Sequence, residues 1–240
     1  MVFENSYGND ERAASYARLE FSGTYYLAYR DLPAIIRKHV TGERAVDFGC
    51  GAGRSTRFLR KLGFEAVGID ISESMVRKAR DLDPAGDYRV VTDGDHADLG
   101  FNSYNLVLSV FTFDNIPSAE RRATLLLGLK RLLAANGRII LLDATPELYG
   151  RDWGSFTTSI FPENMSPRSG DVVKTIIEGI GDRRPVEDIF WTDADYREMF
   201  KTSGLELLET HHPLADQREP YPWVNEMTVG PWVIYVLRPL

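Results

Sequence analysis

Between residues 44 and 143 the chain alternates between two kinds of segment. Short apolar runs at Ala45 to Phe48, Glu65 to Ile69, Tyr88 to Thr92, Leu106 to Phe111 and Arg138 to Asp143 are separated by polar stretches, most of them of helical length. Strands alternating with helices imply right-handed βαβ units and a parallel sheet covered on both faces. The separating stretches carry their own punctuation. A helix is expected from Arg54 to Leu62, and another from the N-cap Ser72 to Leu82. Pro117 and Ser118 open a third, running to Ala135 with Leu125, Leu126, Leu129, Leu132 and Leu133 on one side, and Asn136-Gly137 is read as its glycine stop.

The most informative stretch is Val46-Asp47-Phe48-Gly49-Cys50-Gly51-Ala52-Gly53, directly after the first strand. Glycines there let the backbone approach a ligand closely, and the helix that follows offers unpaired N–H groups. The spacing is G-x-G-x-G, and Arg54 stands where the dinucleotide fingerprint wants its third glycine. Asp47, just before the loop, suits a cationic amino group better than a pyrophosphate. A second element is Gly68-Ile69-Asp70-Ile71-Ser72, with Asp70 placed 21 residues after Gly49. A carboxylate at that strand end can accept both ribose hydroxyls of an adenosine ligand, or simply cap a turn. The third is Asp93-Gly94-Asp95-His96-Ala97-Asp98-Leu99, where Asp95 can accept an exocyclic amine while the His96 N–H donates to a ring nitrogen.

The flanks differ from this middle. Residues 10 to 40 read as two tyrosine-rich helices. After Asp143 the alternation breaks into an irregular stretch, Pro146 to Gly170, and a hairpin of Val172 to Glu178 with Val186 to Trp191. A helix at Asp193 to Ser203 and strands at Leu205 to Thr210 and Trp232 to Leu237 close the chain. An insertion of about 45 residues between two sheet strands has the length of a lid or binding segment. The expected organisation is one domain over 1–240, divided into N-terminal helices (1–42), a cofactor core (43–144), a substrate cap (145–192) and a terminal helix with an antiparallel strand pair (193–240).

Composition narrows the function classes. With 43% hydrophobic residues in 240, the chain can bury a core without disulfide or metal staples. A net charge of −7 and no basic stripe argue against nucleic acid. The single cysteine, Cys50, points to a reducing compartment and reads as a small residue filling a tight space. MVFENSYGNDER has acids where a signal peptide would be basic, and no apolar run reaches the roughly 18 residues of a membrane span. The expectation is a cytoplasmic protein that binds no nucleic acid or membrane, with a homodimer as the assembly to look for.

The ordered set of motifs, from Ala45 to Asp143, resembles the class I S-adenosylmethionine-dependent methyltransferases of small-molecule type. Besides the three turns it includes Asn-Leu-Val-Leu-Ser (105–109) and Leu-Leu-Ala-Ala-Asn-Gly-Arg-Ile-Ile-Leu-Leu-Asp (132–143). The resemblance implies a Rossmann-like, doubly wound α/β fold with a seven-stranded sheet, order 3-2-1-4-5-7-6, the last strand antiparallel, plus an inserted cap. It implies S-adenosyl-L-methionine as cofactor and transfer of its methyl group to an O, N or C nucleophile of a small molecule. Carried over by position, Gly49 and Gly51 lie against the methionine part and Asp47 faces its ammonium through water. Asp70 binds ribose, Ile71 and Met75 pack on adenine, Asp95 and His96 read its edge, and Val110 offers backbone contacts. Many relatives have Asp where this chain has Asn105, an acid that supports the loop. A protein of the same fold that binds the cofactor without methylating is the competing reading, and a nicotinamide dehydrogenase is disfavoured by Arg54.

Catalytic groups are harder to read. Related small-molecule enzymes often have a histidine just after the fourth strand, and here Ser109 to Asn115 contains none. Asp114 is the nearest candidate for a general base, with capping of the next helix as its rival role. Tyr16, Tyr25, Tyr26 and Tyr29 are placed to close over the methionine end, Tyr26 as the contact, though Tyr25 and Tyr29 share a helix face and fit a core equally well. Arg30 can pair with the cofactor carboxylate or make a surface ion pair. His211 and His212 point to opposite faces and show no metal-ligand spacing. Trp153, Phe156, Phe161, Trp191 and Trp223 favour an apolar or planar substrate, or else pack a lid.

Overall fold

The computed structural model describes residues 10–92 and 94–240. Three short helices come first, α1 (Asp10–Tyr16), α2 (Thr24–Arg30) and α3 (Leu32–His39). The alternating middle follows as β1 (Arg44–Phe48), α4 (Arg54–Lys61), β2 (Glu65–Asp70), α5 (Glu73–Leu82), β3 (Asp87–Val90), β4 (Tyr104–Val110), α6 (Ala119–Leu132) and β5 (Leu133–Ala144). Then come β6 (Phe156–Thr157), β7 (Val172–Ile177), β8 (Val186–Ile189), α7 (Asp193–Thr202), β9 (Leu205–His211) and β10 (Trp232–Pro239).

Seven strands form one sheet in the order β3-β2-β1-β4-β5-β10-β9. Neighbours from β3 to β5 are parallel, and β10, the last strand in the chain, runs antiparallel to both β5 and β9. This is the expected doubly wound arrangement. Its cause lies in the alternation of side chains along the central strands. Leu106, Leu108, Ile140, Leu142 and Ile234 face Leu27, Leu32 and Ile36 of α2 and α3. Their odd-parity neighbours Val107, Ile139, Leu141 and Val233 face Leu126, Leu129 and Leu132 of α6, together with Phe200 of α7. Ser72 caps α5 by accepting from the Met75 N–H, and Ser118 caps α6 by accepting from Arg121 at 3.2 Å. A three-stranded sheet, β6-β7-β8, forms from the insertion.

Three expectations change. The N-terminal region holds three helices, because Pro33 starts a fresh helix at its second position. The strand pair β6–β7 was not anticipated. The third difference is at Asn136-Gly137, which does not end a helix. Helix α6 stops at Leu132, and Leu133 to Gly137 already belong to β5, whose register against β4 shifts between Tyr104 and Leu106. Leu133 is buried, and burying its side chain against the core outweighs another helical turn. A Cβ on Gly137 would lie 2.8 Å from the Tyr104 carbonyl oxygen, so the glycine there answers to close strand approach.

Candidate active site

The parallel register sets Asp47 beside Gly68 and Phe48 beside Ile69 and Ser109, which brings the carboxyl ends of β1, β2 and β4 into one row. Ligands in open α/β sheets bind at this rim. The glycine loop starts there. Gly49 has φ +71°, and a Cβ on it would meet the Thr112 hydroxyl, while Gly51 has φ +52° and only the tip of Met75 near it. Asp70 ties this loop to the end of β2. One carboxylate oxygen accepts from the Gly51 N–H and the other from the Ser72 N–H, both at 2.8 Å. Burial raises the Asp70 carboxyl above its ordinary value, and these backbone donors hold it partly down.

The loop borders a cavity of about 540 Å³, within the range of roughly 300–1,000 Å³ usual for small-molecule sites. Gly49, Gly51, Asp70, Ile71, Met75, His96 and Val110 all line it. Ile71 is 39% exposed, an apolar side chain left open at the cavity wall. His96 packs edge-on against Phe48, and both of its ring nitrogens lie buried without a hydrogen-bond partner. Desolvation lowers its pKa, which favours the neutral ring. The insertion supplies another part of the wall, through Val172 of β7 with Glu187 and Ile189 of β8.

Four expected residues stand elsewhere. Asp47 is fully buried behind the loop, where one oxygen accepts from Ser55 and Thr56 at 2.7 and 2.6 Å and the other has no partner. Burial pushes its carboxyl up to about 6. Asp95 is exposed and off the wall, since the turn at Gly94 (φ +79°) presents Gly94 and His96 instead. Asp93 lies outside the described residues. Tyr26 packs on Tyr221, with ring centroids 5.2 Å apart. Arg30 is engaged by Asp31 at 2.8 Å and Glu219 at 2.7 Å. The pitch of α2 explains both, because it turns Tyr25 and Tyr29 inward and leaves Tyr26 and Arg30 facing the late loop.

Asn105 also differs from the expected loop support. Its oxygen accepts from the Arg44 N–H at 3.1 Å, at the opposite end of β1 from the glycines. His211 meets Asp31 at 2.8 Å. Of the insertion and late-loop aromatics, Phe156 reaches a cavity, whereas Trp191 lies under Arg122 and Trp223 packs on Tyr221.

Arg54 is the residue that sequence reasoning missed. It lines the cavity with its guanidinium 4.9 Å from the ring centre of Tyr25, 5.3 Å from Tyr29 and 5.9 Å from Phe111. No carboxylate pairs with it among the described residues, and Nη1 donates to the Glu20 carbonyl at 3.2 Å. A signal was present, for a cation at the first position of a helix opposes the helix dipole. Phe111 itself has φ +55°, a left-handed conformation that costs a bulky residue roughly 1–3 kcal/mol and gathers at functional sites.

Beyond Phe111 lies a smaller hollow of about 40 Å³, sharing Tyr16, Phe111 and Asn115 with the large cavity. Asp114 lines it. Ser118 performs the capping of α6, so the rival role for Asp114 falls away. Burial pushes the Asp114 carboxyl up to about 6, against the Asn115 amide, which donates to it at 2.8 Å, and the charge of Arg122.

Residues 46–141 match the family model for a methyltransferase domain. Over 179 residues the chain is 30% identical to a ubiquinone biosynthesis O-methyltransferase of Methylococcus capsulatus, covering 65% of this chain and 73% of that one. The chain belongs to the S-adenosylmethionine-dependent methyltransferases of small molecules. It spans about half, 48%, of the Xanthomonas oryzae enzyme of the same name, to which it is 27% identical. In fold it is similar to the CcbJ methyltransferase of Streptomyces caelestis, with a TM-score of 0.63 at 20% identity over 89% of this chain and 96% of that one. Its methyl donor is S-adenosylmethionine, and the structure is compatible with that ligand. On the cavity wall, the Asp70 carboxylate at the strand end and the Arg54 cation, which has no carboxylate partner among the described residues, fit the ribose and the carboxylate of an adenosyl amino acid. Among the described residues no helix is long and apolar enough to cross a membrane.

Proposed function

We propose that this methyltransferase holds its cofactor along the row of three turns and methylates a small, partly apolar acceptor reaching in past Phe111. The observation that carries this reading is the cavity lined by the glycine loop, Asp70 and His96, which shares Tyr16, Phe111 and Asn115 with a hollow that Asp114 lines. When bound, S-adenosylmethionine supplies an activated methyl group on a sulfonium. Asp70, fixed by two backbone N–H groups, is the acceptor for ribose hydroxyls. Ile71 and Met75 pack on the base, and Gly49 and Gly51 keep the loop open to close approach. Arg54 takes the carboxylate.

What remains for the protein is positioning and proton transfer. Orienting a nucleophile in a confined hollow can supply several kcal/mol. Tyr25, Phe156 and Trp232 exclude water from that hollow, and Asp114, held near 6, is the proton acceptor for the nucleophile. Residues 145–192 act as the substrate cap, supported by the Val172, Glu187 and Ile189 contacts to the cavity. The acidic net charge of −7 supports a small metabolite over nucleic acid as acceptor. Calorimetric titration with S-adenosylhomocysteine tests the placement: Asp70→Asn is expected to weaken binding about tenfold or more, since hydrogen bonds to a charged group contribute ~1.5–3 kcal/mol. Unchanged affinity would contradict it.

A further inference from the structure

The small hollow has a wall composition that neither packing nor the cofactor explains. Its lining brings together two carboxylates, Asp114 after β4 and Asp188 on β8, with Thr175 on β7. Thr175 is 7% exposed, and its hydroxyl makes no hydrogen bond. Around these polar groups stand Tyr25, Phe156 and Trp232, in mutual ring contact at centroid distances of 5.4 to 6.0 Å. Among the described residues no cationic side chain lines the hollow. The volume, about 40 Å³, is room for roughly three water-sized spheres, enough for one small charged head group.

Two arginine charges reach the acids from outside the lining, Arg122 acting on Asp114 and Asp143 and Arg12 on Asp188. Arg122 of α6 turns its guanidinium onto Tyr196 and Trp191, 4.2 and 4.4 Å from the ring centres. Arg12 of α1 donates to the Pro185 carbonyl at 2.8 Å. Asp143 at the end of β5 adds a third buried acid near Asp114, so that three acids stand against two arginines. Tyr16, Tyr25, Tyr149 and Tyr196 are the remaining titratable groups around the site. Buried carboxylates are costly unless a cation or hydrogen bonds compensate them.

We propose that this hollow is the acceptor subsite and that it selects a protonated amine. The ammonium enters between Asp114 and Asp188, donates to the Thr175 hydroxyl, and is ringed by Tyr25, Phe156 and Trp232, as aromatic walls favour a cation. One N–H bond then breaks, its proton forming an O–H bond on a carboxylate oxygen, while the electron pair stays on nitrogen as the nucleophile's lone pair. Asp114 is that carboxylate, and Asp188, lining the same hollow, stays to hold the ammonium before the proton leaves. An alcohol of the same shape brings no charge to compensate the acids and is discriminated against.

The inference rests on the cofactor placement above, so the test separates the two. Benzylammonium and benzyl alcohol are titrated calorimetrically into wild-type protein saturated with S-adenosylhomocysteine. The ammonium is expected to bind at least about tenfold tighter than the alcohol, as hydrogen bonds to charged groups imply. Asp188→Asn, nearly isosteric, is expected to abolish that preference, and Thr175→Val to reduce ammonium affinity several-fold. Both variants should bind S-adenosylhomocysteine within about twofold of wild type. Equal affinity for the two probes, or a preference that survives Asp188→Asn, overturns the amine assignment. Failure of the wild type to bind S-adenosylhomocysteine overturns the cofactor placement itself.

Discussion

Replacing Arg54 with methionine separates binding from folding. Its guanidinium is stacked among Tyr25, Tyr29 and Phe111, with no carboxylate partner among the described residues. Removing it costs the apo protein the cation–π contacts, about 0.5–2 kcal/mol, and relieves an uncompensated charge in a largely enclosed position. These effects oppose each other, so the melting temperature should move by only a few degrees in either direction. The ligand complex should behave differently. If Arg54 takes the amino-acid carboxylate, the variant loses charged hydrogen bonds of about 1.5–3 kcal/mol, or about 10- to 150-fold in affinity for S-adenosylhomocysteine. Adenosine lacks that carboxylate and should bind both proteins within about twofold. Calorimetry with the two ligands, alongside thermal melts, provides the comparison. Equal losses for adenosine and S-adenosylhomocysteine would show that Arg54 only supports the cavity wall, and the reasoning would fail.

Further predictions concern pH, the core and the loop. The folded Asp114 carboxyl titrates at about 6 against an ordinary 3.8, so the folded chain keeps a proton that the unfolded chain has released between those values. Stability therefore falls as pH rises through that window, and Asp114→Asn should remove part of the fall, read as urea midpoints at pH 4.5 and 7. If Asp114 is the proton acceptor, kcat/KM for the acceptor should rise with pH around 6 in wild type, and the rise should vanish in the same variant. Leu126→Ala, at a fully buried position on α6, should cost about 2–5 kcal/mol in urea unfolding and leave S-adenosylhomocysteine affinity within about twofold. Gly49→Ala forces a left-handed residue against Thr112 and should abolish S-adenosylhomocysteine binding, which an intact titration curve would refute.

The sheet and the rim of turns that lines its cavity were legible because local signals and global fold agree. Ser72 and Ser118 cap the helices their positions imply, and buried strand segments such as Ile139 to Leu142 read as unbroken apolar runs. Asp70 could be placed because it follows a strand whose end is fixed by the sheet. The errors arose where one residue answers to two demands. Gly137 looks like a helix stop in one dimension, but it is required by the Tyr104 carbonyl packed against it. On α2, sequence alone could not say which of the i, i+4 pairs faces inward, and the core took Tyr25 and Tyr29. Asp188 and Thr175 gave no signal, since a hairpin far along the chain brings them beside Asp114. Arg54 broke the dinucleotide fingerprint, and its second signal, a cation at a helix N-terminus, went unused.

A crystal structure with S-adenosylhomocysteine bound addresses the central claim most directly. The account predicts ribose oxygens at the Asp70 carboxylate, the base between Ile71 and His96, the amino-acid carboxylate at Arg54, and the sulfur turned toward Phe111 and the hollow behind it. A nucleoside seated away from Asp70, or a ligand whose sulfur points away from that hollow, would contradict it.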